Sequence, residues 1–277
     1  MSRLAVDIGG TWLRYELLGE KEVCGRISSR ETGLAAFIER MVREHPEIDA
    51  VAVSYAGQVH EGTILSAPNI TVDEADLQSW AEATLGIRLR LENDLNCAAL
   101  AEALYWQTKS LVALYSGTGL GAGIVEKGAI CHGFRSLAGE IGHVPFREAP
   151  FACGCGKRNC LELYASGSGL AKWAAHLGCE EDADLAALRK APEPCARVAQ
   201  DYEEALLFAA ATLVTLCNPE VLVLGGGVIA HNPWLAERLR ERIDDFALRA
   251  SLEGLRIETS RIEEASLEGA KLLLDTI

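Results

Sequence analysis

Several short stretches of this 277-residue chain gather residue types that can do chemistry. Asp7-Ile-Gly9-Gly10-Thr11 lies between two apolar runs. Glycines there permit a tight turn whose backbone N–H groups face an anion, and Thr11 adds a hydroxyl donor. Asp7, at the end of the first run, is placed to hold a hydrated Mg²⁺ beside phosphates. An ordinary glycine hairpin with an exposed Asp has the same letters. In Leu91-Glu92-Asn93-Asp94 a strand pattern gives way to a helix pattern. A carboxylate at the carboxyl end of a sheet is where α/β proteins hold ligands, and a nearby helix N-terminus is expected to keep it ionised. An ionised Asp in such a place can orient an attacking hydroxyl and accept its proton. Asn and Asp are also favoured helix caps, and the two roles are compatible.

His143 is followed by Cys153-x-Cys155-x-x-x-x-Cys160. One imidazole and three thiolates make a closed tetrahedral set, the composition of a structural zinc site that shapes a loop and leaves no position for water. Glu140 and Glu162 flank this segment and otherwise read as solvated surface. Gly117-Thr118-Gly119-Leu-Gly121-Ala-Gly123 is a second glycine-rich turn. It is no dinucleotide fingerprint, because strand-like Ile124–Lys127 follows it instead of a helix. No GxxxxGK[ST] loop occurs, so phosphate binding would rest on backbone amides and metal. Gly225-Gly226-Gly227 before a helix pattern either admits a flat ring close to the backbone or merely ends a strand.

Hydrophobic periodicity supplies the elements that must position these residues. Strands are expected at 3–7, 12–18 and 22–27, a helix at 32–45, a strand at 49–54, a helix at 76–85, a strand at 87–91 and a helix from Asn93 to about Trp106. At Leu111 the strand–glycine turn–strand pattern restarts, with strands at 111–115 and 124–125. Helices at 161–177, 185–190 and 195–217, a strand at 221–224, a helix at 233–248, a strand at 255–259 and a helix at 264–275 complete it. Alternating strands and helices indicate an α/β class, and the opening meanders make the sheets mixed. The restart implies two lobes of related design. They are expected at 1–110, joined by the C-terminal helix 264–277, and at 111–263 with the zinc segment.

The hydrophobic fraction of 49% against 24% charged residues permits a substantial core and excludes wholesale disorder. A net charge of −14 argues against gripping nucleic acid or anionic lipid. The expectation is a soluble cytoplasmic protein with neither nucleic acid nor membrane as partner. Among nine cysteines, Cys24, Cys97, Cys131, Cys179, Cys195 and Cys217 are expected to be small buried hydrophobes, and disulfides are not expected.

Together, DIGGT at 7–11, END at 92–94, GTGLGAG at 117–123, GEIGH at 139–143 and CGCGKRNCLE at 153–162 resemble the ROK family of sugar kinases and regulators. The resemblance covers nearly the whole chain in order, and the GEIGH-plus-cysteine segment is its most specific part. It implies a two-lobed actin/hexokinase-type (ribonuclease H-like) fold with the active site in the cleft between the lobes. It implies Asp94 as catalytic base, with Asp7, Gly9, Gly10 and Thr11 on ATP phosphates together with Gly117, Thr118 and Gly119. Gly225, Gly226 and Gly227 would lie near adenosine. Sugar hydroxyls would fall to Asn93, Glu140, His143 and Glu162, with Asn69 on a further sugar-contacting loop after Pro68. His143 would serve both zinc and sugar. The implied reaction is ATP- and Mg²⁺-dependent phosphorylation of glucose at its 6-hydroxyl, in a homo-oligomer, by resemblance a dimer. An N-acetylhexosamine kinase and a non-catalytic sugar sensor are the alternatives. Ala56-Gly57 replaces the family's usual Pro-Gly and leaves the sugar open, and Asn159 replaces a usual glycine. With a strand expected from about Arg3, the helix-turn-helix of regulator members is not expected.

Overall fold

Alternating small and large residues explain the first sheet. The computed structural model describes residues 2–19, 23–67, 69–180 and 184–277. An antiparallel meander of β1 (Ser2–Ile8), β2 (Trp12–Leu18) and β3 (Val23–Ser28) is followed by α1 (Leu34–Glu44) and β4 (Ile48–Tyr55). A short hairpin, β5 (Gln58–His60) with β6 (Thr63–Ser66), leads through one helical turn, α2 (Leu77–Trp80), to β7 (Arg88–Asn93) and α3 (Asp94–Tyr105). The strand order is β3-β2-β1-β4-β7, with β1, β4 and β7 parallel. Leu4, Val6, Ile8, Val51 and Val53 share a core with Phe37 and Ile38 of α1. Ala5, Ala50 and Ala52 alternate with them and pack with Cys97 of α3 and Leu267, Ala270 and Leu273 of the last helix, α9 (Ala265–Leu274). A side-chain period of two puts Asp7, Ser54 and Glu92 on this small-residue face.

The close approach of α3 and α9 requires Gly269: a Cβ there would lie 1.9 Å from the Cys97 carbonyl oxygen. Arg3 to Asp275, Lys271 to Glu16 and Arg90 to Thr276 hold the same helix against the sheet. The chain divides into two compact units. One comprises the segment ending at Tyr105 with Ala129–Ala138 and Ile262–Ile277, the other Trp106–Gly128 and Gly139–Arg261. A two-residue strand, β10 (Ala129–Ile130), opens the inserted segment of the first unit.

The second unit repeats the opening hairpin with β8 (Ser110–Ser116) and β9 (Leu120–Glu126). It adds α4 (Gly167–Leu177), α5 (Leu185–Lys190), α6 (Cys195–Cys217), β11 (Val221–Gly225), α7 (Gly227–His231), α8 (Trp234–Arg242) and β12 (Arg256–Thr259). Strands β9-β8-β11-β12 are hydrogen-bonded in that order, with β11 parallel to both neighbours. The mixed α/β fold thus has the sheets its pattern requires. No helix among the described residues is long and apolar enough to cross a membrane.

Four expectations need correction. Strand β9 starts at Leu120, inside the glycine-rich run, because Gly121 and Gly123 pair in register with Tyr115 and Ala113, and that pairing outweighs glycine's poor strand propensity. The helix expected at 161–177 is a 3₁₀ turn at Leu161–Leu163 and then α4. Ser166 breaks it: its hydroxyl accepts from the Gly169 N–H at 3.0 Å and donates to the Glu162 carbonyl at 2.7 Å, the behaviour of a cap. The helix at 233–248 ends at Arg242 and continues as the 3₁₀ turn Ile243–Asp245, since adjacent Asp244 and Asp245 oppose a helix C-terminus. Finally, Cys179 and Cys195 are joined as a disulfide, Cys24 is exposed and Cys131 and Cys217 are only partly buried, so of the six only Cys97 is a free buried hydrophobe. Residue 22, the expected start of the third strand, and Pro68 lie outside the described residues.

Candidate active site

Strand register assembles the first cluster. Across β2, β1, β4 and β7 the residues Arg14, Asp7, Ser54 and Glu92 are consecutive lateral neighbours. Asp7 is buried. Its Oδ1 accepts from the Ser54 hydroxyl at 2.8 Å and its Oδ2 from Arg14 Nη1 at 3.3 Å. Arg14 Nε lies 3.1 Å from Glu264 Oε1, beside the start of α9. Burial raises the Asp7 carboxyl above its ordinary range despite the Ser54 and Arg14 contacts. A cation bound here would oppose that shift, and the Asp7 carboxylate could hold one through its hydration shell. The turn after β1 is closed by Gly9 N–H to the Trp12 carbonyl at 2.9 Å. Asn69 packs against Gly10, bringing these two predicted site residues together.

Asp94 is the first residue of α3 and is partly accessible. Asn93 is the cap: its Oδ1 accepts from the Leu95 and Asn96 N–H groups at 2.9 and 3.2 Å. The Asn93 amide nitrogen donates to Asp94 Oδ1 and to the Gly57 carbonyl, each at 3.0 Å. Its hydrogen-bonding capacity is therefore committed within the protein, and a sugar contact would have to displace one of these bonds. Desolvation, followed by the negative charge of Asp7, pushes Asp94 up to about 7. These outweigh the N-terminal amides that were expected to keep it ionised. A carboxyl titrating near neutrality is suited to general-base work at physiological pH. Sequence reasoning missed Arg14 and Ser54. The hairpin spacing around Gly9–Thr11 already places Arg14 opposite Asp7, which was the available signal.

Within the second unit, the turn from Gly117 to Gly119 is closed by Gly117 N–H to the Gly119 carbonyl at 3.0 Å. The start of α4, also missed, packs on it: Gly167 N–H donates to the Gly117 carbonyl at 2.8 Å and Ser168 N–H to that of Thr118 at 3.2 Å. The predicted Gly225–Gly227 run meets the end of β8 at the same place. Gly226 has φ of 87°, and a Cβ there would lie 2.4 Å from the Ser116 carbonyl oxygen. Backbone on one side and positive φ on the other leave no room to yield. Gly226→Ala is expected to cost about 1–3 kcal/mol in stability, read from a urea denaturation curve.

The metal set is tightly gathered. Ligand atoms of His143, Cys153, Cys155 and Cys160 all lie within 4.8 Å of one another. Cys155 and Cys160 sulfurs are 3.4 Å apart, and Cys153 Sγ is 3.7 Å from His143 Nδ1. A tetrahedron with ordinary Zn–S and Zn–N bonds has edges of about 3.5–3.8 Å, so the donors fit zinc. His143 Nε2 faces the other way, 3.6 Å from Glu140 Oε2. The Glu162 carboxylate spans two features: Oε2 accepts from the Leu120 N–H after the glycine turn at 3.1 Å, and Oε1 lies 3.3 Å from Cys153 Sγ. Aromatic packing of Phe151 on Trp173, with Lys172 donating to the Ala152 carbonyl at 3.0 Å, holds the cysteine loop to α4.

The ROK family model matches residues 3–277. The chain belongs to the ROK family. It is 28% identical to a glucokinase of Halalkalibacterium halodurans over 91% of this chain and 88% of that protein. It is 29% identical to an N-acetyl-D-glucosamine kinase of Vibrio parahaemolyticus over 96% and 97% of the two chains. A ROK family glucokinase from Streptomyces griseus, solved with glucose and AMPPNP, superposes with a TM-score of 0.75 at 25% identity, covering 100% of both chains. The fold of this ROK protein is accordingly the actin/hexokinase type.

Proposed function

We propose that this ROK protein transfers the γ-phosphoryl group of ATP to a hexose hydroxyl, with the 6-hydroxyl of glucose as first choice. The observation that carries the reading is Asp94, fixed at the start of α3 with its carboxyl brought to about 7 beside Asp7. Its ionised form accepts the proton of the attacking hydroxyl as that oxygen bonds to the γ-phosphorus. The bond from phosphorus to the bridging oxygen breaks, and ADP departs. Asp7 would hold hydrated Mg²⁺, whose charge offsets that of the phosphates, with Arg14 and Ser54 keeping the Asp7 carboxylate in place. The Gly9 and Gly117 N–H groups close their own turns, so the remaining amides of Gly9–Thr11 and Gly117–Gly119 would face phosphate oxygens, and Gly225–Gly227 would admit adenosine. His143, Cys153, Cys155 and Cys160 would hold zinc, which fixes the loop and the outward face of the His143 ring. Glu140, His143, Glu162 and Asn69 would contact sugar hydroxyls, joined by Asn93 once one of its internal bonds is released.

The similarity to the Vibrio N-acetyl-D-glucosamine kinase, as high as that to the glucokinase, supports a second reading in which the acceptor is an N-acetylhexosamine. Coupled ADP release measured across hexoses and amino sugars separates the two. The first reading expects the highest kcat/KM on glucose, and a preference for N-acetylglucosamine or N-acetylmannosamine would select the second. Absence of sugar-dependent release with every sugar would reject both.

A further inference from the structure

The segment inserted into the first unit carries a histidine that the proposed chemistry leaves unused. His132 Nε2 lies 2.7 Å from Glu92 Oε2. Glu92, at 4% exposure, is one of the few buried carboxylates of the unit. Its other oxygen accepts from the Asn93 N–H at 2.9 Å and from Asn96 Nδ2 at 2.8 Å. Asn93 in turn caps α3 and donates to Asp94 Oδ1. A path therefore runs from the imidazole through Glu92 to the Asn93 main-chain N–H, and across the covalent frame of Asn93 to its side-chain amide, which bonds the candidate base. The far side of the segment is pinned separately, with Ser136 Oγ 3.0 Å from His60 Nδ1.

Each link has a physical task. Burial raises the Glu92 carboxyl, but bonds from His132, Asn96 and the Asn93 amide outweigh it and hold it below its ordinary range. The bond to Glu92 raises His132 against desolvation and against the nearby Arg90. Removing the imidazole would leave one oxygen of a buried carboxylate without its partner, a costly arrangement. Glu92 would then protonate or turn toward water, loosening the two donors that orient Asn93 and the first turn of α3.

We infer that His132 is a positioning residue: through Glu92 and Asn93 it holds the Asp94 carboxylate in the orientation that receives the hydroxyl proton. The inference rests on Asp94 being the base. Its test compares His132→Leu, which removes the donor, with His132→Gln, which keeps an N–H, each alone and combined with Asp94→Asn. Sugar-dependent ADP release gives kcat and the KM for ATP, and a thermal melt reports folding. A small displacement of a reacting group costs up to about a hundredfold, so His132→Leu is expected to lower kcat about tenfold or more. The KM for ATP should stay within about twofold and His132→Gln should recover most of the loss. In the Asp94→Asn background the leucine change should cost nothing further, because there is no base left to orient.

Wild-type kcat in His132→Leu, with Asp94→Asn inactive, overturns this inference and leaves the base assignment standing. An equal loss in both backgrounds overturns it too, by showing that His132 acts independently of Asp94. Full activity in Asp94→Asn overturns the base assignment and this inference with it. Should the leucine variant not fold, His132→Asn, polar but too short to reach Glu92, supports the same comparison.

Discussion

Asp94→Asn is expected to lower kcat by about a hundredfold to ten-thousandfold, the span that a positioned general base contributes. The amide keeps the size of the side chain and still accepts a hydrogen bond from Asn93, so α3 should retain its cap and the melting temperature should change little. ATP affinity should survive, because Asp7 and the turns proposed to hold phosphate are untouched. A fall in kcat with an unchanged KM for ATP is the signature of an interaction made only in the transition state. Steady-state ADP release beside a thermal melt reads both quantities. A stable variant turning over at the wild-type rate would remove Asp94 from the chemistry.

Cys155→Ser is expected to have the second largest effect. Cys155 is exposed and makes no core packing, so its loss as a mere side chain would be within the small range of surface substitutions. As one of the four proposed ligands, its loss would open the tetrahedron and loosen the cysteine segment beside His143. Elemental analysis should find about one zinc per wild-type chain and much less in the variant. The KM for sugar should rise about tenfold to a hundredfold, the usual consequence of disturbing residues that orient a site, while the KM for ATP stays close to wild type. Wild-type protein purified without chelator and carrying no zinc would contradict the assignment. An unchanged sugar KM after complete zinc loss would confine the metal to stability.

Chemistry written in contiguous letters was legible. Asn93-Asp94 and the cysteine segment each occupy a few adjacent positions, and local geometry alone brings their atoms together. The same holds for strand β2 and helices α5 and α6, whose periodicity fixes both ends. Partners supplied by strand register were harder to see. Ser54 reaches Asp7 only because β4 lies parallel to β1, and Glu92 meets His132 across 40 residues of sequence. Cys179 and Cys195, separated by 16 residues, lie 5.8 Å apart at Cα and pair, which no spacing rule announces. Ser166 hid a helix start inside an apolar run, since its capping bonds outweigh the periodicity around it. The upward shift of the Asp94 carboxyl was hidden for a related reason. The helix N-terminus was visible in the sequence, whereas the burial and the Asp7 charge that oppose it come from tertiary structure.

Sugar-dependent ADP release followed from about pH 5.5 to about pH 8.5 tests the central claim most directly. The base must be deprotonated to act, so a carboxyl raised to about 7 loses its working form as the pH falls through that value. The expected profile of kcat/KM is flat above about 7.5 and falls about tenfold per pH unit below about 6.5, with Asp94→Asn at a low, level rate throughout. A wild-type profile level across the whole range, or one whose acid limb persists in Asp94→Asn, would contradict the account.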